Sequence, residues 1–165
     1  MKSGPTYIEL LGLGVRWFLG LWVGWLGLLK AWDPVLFLKA VRQYGLIDTP
    51  WVLNATAILL PWLEVFSALL LLLGIAVRGT AWLLAGMLVG FTVLVGWHGW
   101  QLHVAHQMPF CAIRFDCGCG TGEIHLCTKL AENAVLIGSA LWLGTGRAGQ
   151  LWSVRYHLVR SCVST

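Results

Sequence analysis

Four stretches of this sequence, at about 7–29, 51–77, 81–102 and 128–146, are long, apolar and almost free of charge. At ~1.5 Å of rise per residue, a helix of some twenty residues crosses the ~30 Å hydrocarbon layer of a bilayer. A helix also satisfies its own backbone polar groups, which lipid cannot do. The composition points the same way: 165 residues, 58% hydrophobic and only 11% charged, with eleven tryptophans. A soluble domain this short would need far more polar surface. The expected fold is all-α, an integral membrane four-helix bundle forming one domain over 1–165. The formal charge of +4 then calls for lipid and topology, not for a nucleic-acid partner. The first apolar run follows Lys2, carries Arg16 and lacks an A-x-A cleavage site, so it is expected to remain as the first span.

The connections carry local signals. Asp33 suits an N-cap and Pro34 a first helical turn, so a short helix is expected there, closed by Gly45. Its Phe37, Leu38 and Val41 fall on one face and Lys39, Arg42 and Gln43 on another, the pattern of a helix lying in the interface. Pro61 predicts a kink in the second span, and Arg78-Gly79 a tight turn after it. Trp97, His98 and Trp100 close the third span as an aromatic belt, with His98 expected to be buried. The loop 103–127 then gathers His103, His106, His125, Cys111, Cys117, Cys119 and Cys127. The tail 147–165 holds Arg147, Arg155, Arg160 and Cys162.

With four spans both termini share a side. Basic residues divide evenly: Lys2, Arg78, Arg147, Arg155 and Arg160 with the termini, against Lys30, Lys39, Arg42, Arg114 and Lys129 opposite. The arginine-rich tail and the four loop cysteines favour cytoplasmic termini and an outside, oxidising loop. Within the spans, Arg16 and Glu64 are the one opposite pair at depth, and ionised groups there cost at least ~2.5–3.5 kcal/mol on insertion scales. An Arg16–Glu64 ion pair is therefore expected, as a clamp between the first two spans or as the polar floor of a quinone or substrate pocket.

The early arginine, GLLKAWDP closing the first span, LPWLEVFSALLLLLG in the second and CGCG before the fourth resemble the DoxX-like superfamily, and within it the branch of the methylamine-utilisation protein MauE. Arg16, Lys30, Asp33, Pro34, Glu64 and Gly74 fall where that family has recurring polar and turn residues. Cys117-Gly-Cys119 falls on its Cys-x-Cys, and Asn133 on an asparagine entering the last helix. Gly120-Thr121-Gly122 departs from the family's usual Phe-Gly, and Cys111, Cys127 and the histidines are additions. The resemblance implies a bacterial inner-membrane protein serving a partner enzyme through periplasmic disulfide chemistry or quinone-linked sulfur oxidation, or else an accessory subunit of a larger membrane complex.

Cysteines one residue apart form a disulfide only with strain, and strained disulfides exchange readily. Arg114 and the N-terminus of the fourth helix would lower a nearby thiol pKa. Cys117 and Cys119 thus read as an exchanging redox pair, with Cys111 and Cys127 as resolving or structural partners. The competing reading is two static disulfides stapling an exported loop. The spacing C-x5-C-x-C-x7-C matches neither the zinc nor the ferredoxin patterns, so no metal is expected there, and haem c attachment would need C-x-x-C-H. His103 and His106, three apart on one helical face, could ligate haem or a metal, though such histidines are more often interfacial polar tips.

Overall fold

A computed structural model describes residues 6–45, 49–116 and 123–146. Cys117, Cys119 and the tail with Cys162 lie outside the described residues. Helix α1 is Tyr7–Trp32, α2 Pro34–Gln43, α3 Pro50–Leu73, α4 Val77–His106 and α5 Leu126–Thr145. Four of them, all but α2, are long and apolar enough to cross a membrane, and the chain is a multi-pass, all-α membrane protein. Between α4 and α5 come a 3-10 turn, Phe110–Ala112, and two short strands, β1 (Arg114–Asp116) and β2 (Glu123–His125).

Local chemistry sets the ends. The Thr6 amide donates to Glu9 Oε2 at 2.9 Å, opening α1. Asp33 ends α1 and caps α2, its Oδ1 accepting from the Leu36 amide at 2.9 Å, with Pro34 in the first turn. Gly45 follows α2 at φ +62°, a left-handed conformation that glycine adopts without a Cβ penalty. The turn between the second and third spans falls at Gly74–Ala76, earlier than the expected Arg78-Gly79. Gly74 takes φ +72°, its amide donates to Leu71 O and the Ile75 amide donates to Leu70 O. That double closure ends α3, and Arg78 and Gly79 begin α4 instead. Helix α3 runs through Pro61, which is buried, and α4 runs on to His106, one turn past the expected span.

The spans pack as a ring in which α1 touches α3, α3 touches α4, α4 touches α5, and α5 returns to α1. Helix α2 lies on α3, burying Phe37 and Ala40. Close approach of α1 to α3 depends on Gly20, Gly24 and Gly27. A Cβ at Gly20 would meet Leu72, one at Gly24 would meet Ala68, and one at Gly27 would sit 3.0 Å from Glu64 Cβ. The central apolar cluster joins Leu19 and Val23 of α1, Leu71 of α3, Leu84 of α4 and Leu136 and Leu143 of α5. Trp17, Trp25, Trp62 and Trp82 stay outside the bundle, exposed on the lipid-facing sides of their helices.

Candidate functional site

The loop between α4 and α5 is built on one covalent bond. Cys111, in the 3-10 turn, is disulfide-bonded to Cys127, in the first turn of α5, with Cα atoms 5.0 Å apart. The Leu126 amide donates to Ile113 O at 3.1 Å beside it. The staple therefore fixes both roots of the antiparallel hairpin, in which Arg114 faces His125, Phe115 faces Ile124 and Asp116 faces Glu123. Six residues, 117–122, join the paired strands, and Cys117-Gly-Cys119 is among them. Phe115 is buried and meets the His98 ring edge-on at 5.9 Å; Tyr44 meets the same ring at 5.1 Å. These contacts seat the hairpin on α4 and the end of α2.

The histidines do not converge on the disulfide. His103 and His106 lie in the last turn of α4; a ring nitrogen of His103 is 2.6 Å from Met108 O, and the ring meets Phe110 edge-on. Among the described residues no three His, Cys, Asp or Glu side chains gather as a metal site. His106 borders an open groove of about 480 Å³ with Leu102, Met108, Ala112, Ile113 and Arg114.

A second polar centre lies inside the bundle, and its pairing differs from expectation. Glu64 accepts from Lys30 through both carboxylate oxygens at 2.8 Å, so the Arg16–Glu64 pair is replaced by Lys30–Glu64. Antiparallel register explains it. Glu64 lies beside Gly27, one turn from Lys30, whereas Arg16 is ~21 Å further back along α1. The Lys30 ammonium also sits 5.6 Å from the centre of the Phe37 ring and 5.5 Å from that of Phe91. In α5, Lys129 donates to Glu132 at 3.0 Å, and Glu132 accepts from Trp22 Nε1 at 3.1 Å. Asn133 donates to Thr92 Oγ1 at 3.1 Å, and that hydroxyl donates to Leu88 O.

Sequence reasoning counted Lys30 and Lys129 with the charges on the loop side of the spans; both are instead buried in the bundle, 6% and 3% exposed. The overlooked signal was helical period. Lys30 continues the buried stripe Leu19, Val23, Gly27, and Lys129 and Asn133 begin the stripe Leu136, Ala140, Leu143.

A stapled extramembrane hairpin above a four-helix bundle with ion pairs in its interior defines a polytopic membrane protein. The family model described as methylamine utilisation protein MauE matches residues 8–146, and the chain belongs to that family. No curated protein and no solved structure matches it.

Proposed function

We propose that this chain is a membrane thiol–disulfide protein whose Cys117/Cys119 pair exchanges with a partner protein in the periplasm. The observation that carries the reading is the Cys111–Cys127 bond. It commits two of the four loop cysteines to a staple and leaves the Cys-x-Cys between two paired strands. MauE membership supports a role alongside other proteins of methylamine utilisation. In one turnover a thiolate of the partner attacks an oxidised Cys117–Cys119 disulfide, and the partner's second thiolate then attacks its own sulfur in the mixed disulfide, releasing the cysteine of this chain as a thiolate. The partner leaves as a disulfide, and two electrons and two protons remain on Cys117 and Cys119. A quinone reduced to quinol would take them up. The groove beside His106 and Arg114 is of ligand size and mostly apolar, and suits that role.

Redox titration of the purified chain, read by mass spectrometry of alkylated peptides, tests this. Cys117/Cys119 should titrate at a higher potential than Cys111/Cys127, and serine at either of the first two should abolish partner oxidation. One shared midpoint, or a Cys117–Cys127 cross-link in the oxidised protein, defeats the assignment.

A second reading is a non-catalytic subunit of a larger membrane complex. The exposed Trp17 and Trp62, near the middle of α1 and α3 where tryptophan is not an interfacial anchor, favour it. Cys117 and Cys119 would then resist reduction, and the chain would co-purify with its neighbours in fixed ratio.

A further inference from the structure

Helix α2 leaves one face uncovered, and that face mixes apolar and basic side chains. Phe37 and Ala40, with Tyr44 just after them, are buried against the bundle. At ~100° per residue, Val35, Leu36, Lys39 and Arg42 fall on the opposite side, and all four are exposed. Trp32, immediately before α2, is exposed as well. The sequence pattern put Phe37 on the lipid face; it packs instead beside the Lys30 ammonium. We propose that the exposed face of α2 binds the headgroup of an anionic phospholipid. Lys39 and Arg42 hold its phosphate, and Trp32, Val35 and Leu36 lie against the upper acyl chains.

Depth is the first argument. Trp32 and Trp51, on either side of α2 in sequence, and Trp97 and Trp100 of α4 are all exposed, an aromatic belt at the loop end of the bundle. Tyr44 meets the ring of His98, which stands between the two α4 tryptophans. Helix α2 therefore lies at belt level, where hydrocarbon gives way to headgroups. Charge is the second argument. Among the described residues neither Lys39 nor Arg42 forms an ion pair, unlike Lys30 and Lys129. Asp33, the acidic residue next to α2, accepts from the Leu36 amide and lies ~9 Å along the axis from Lys39. Side chains three apart on a helix are neighbours, so both cations reach one phosphodiester, Arg42 through two parallel N–H donors and Lys39 as a point charge. A zwitterionic headgroup brings its own ammonium to this face, whereas a headgroup of net charge −1 leaves both cations matched.

The full chain in a non-ionic detergent, titrated with phosphatidylglycerol or phosphatidylcholine of the same acyl chains, should show a saturable rise in Tm at lower concentrations of phosphatidylglycerol. At ~1 kcal/mol per basic residue near an anionic surface, Lys39→Gln or Arg42→Gln should weaken that binding about fivefold and the pair about thirtyfold, with phosphatidylcholine unaffected. Both side chains are exposed, so the lipid-free Tm of these variants should match that of the unmodified chain. High salt should screen the preference. Arg114→Gln, which removes the exposed arginine of the hairpin, should leave it intact. Equal affinity for the two lipids, an unchanged preference in the double variant, or loss of the preference in Arg114→Gln overturns the proposal.

Discussion

At the scale of single residues the ion pair between Lys30 and Glu64 is the most consequential contact. Glu64 stands nine residues from the end of α3, ~14 Å along the helix, which is near the middle of a ~30 Å apolar layer. Neither charge can be left alone there. Lys30→Met should cost ~3–5 kcal/mol by stranding the carboxylate, while Lys30→Met with Glu64→Gln should cost less than either single change. A double-mutant cycle in detergent unfolding measures the coupling, and simple additivity would mean that the bidentate contact contributes nothing of its own. Arg16→Met combined with Glu64→Gln should be additive, because the register separates those two positions. This pairing was not legible beforehand. The sequence shows which ionised groups sit at depth, but the partner is decided by how α1 slides along α3, and Gly20, Gly24 and Gly27 set that slide.

Among elements, a helix start marked by its cap was readable, the turn at Gly74–Ala76 was expected four residues too late, and the hairpin held by distant contacts gave no signal. Asp33 and Pro34 announced α2 because a cap and a first-turn proline act within four residues. The β1–β2 hairpin gave no such signal: three-residue strands are too short to show alternation, and the stapled roots, not β propensity, hold them in register. That dependence is testable. The staple closes a loop of sixteen positions, for which loop entropy corresponds to roughly 3 kcal/mol. Cys111→Ser or Cys127→Ser should lower Tm and speed amide exchange across Arg114–Asp116 and Glu123–His125, with α1 and α3 unaffected. The converse element test is Gly27→Ala. Its methyl would meet Glu64, Val65 and the Pro61 carbonyl, the last two at 3.1 and 3.2 Å, and backbone cannot step aside. A loss of ~1–3 kcal/mol is expected from overpacking, read by chemical denaturation. A neutral result would show that α1 and α3 have room to separate.

For the whole molecule the open question is which way the bundle faces, and the structure alters the count on which orientation depends. By sequence, basic residues divide five against five between the two ends. Lys30 and Lys129, however, belong to the bundle interior, where each is matched to a glutamate, so they cannot act as topological charges on the loop side. That leaves Lys39, Arg42 and Arg114 with the loop, three against five. Arg78 keeps its place in the larger group: it is exposed in the first turn of α4, with Nε donating to Gly144 O at 3.2 Å at the end of α5. On the positive-inside rule we propose that both termini lie in the cytoplasm and the stapled hairpin outside. A disulfide in that hairpin agrees with an oxidising compartment. Intact cells, reduced and then treated with a membrane-impermeant maleimide, should therefore label Cys117 and Cys119 and spare Cys162 until lysis. Labelling of Cys162 in intact cells, with the hairpin cysteines shielded, would establish the inverted topology and would remove the compartment on which periplasmic exchange depends.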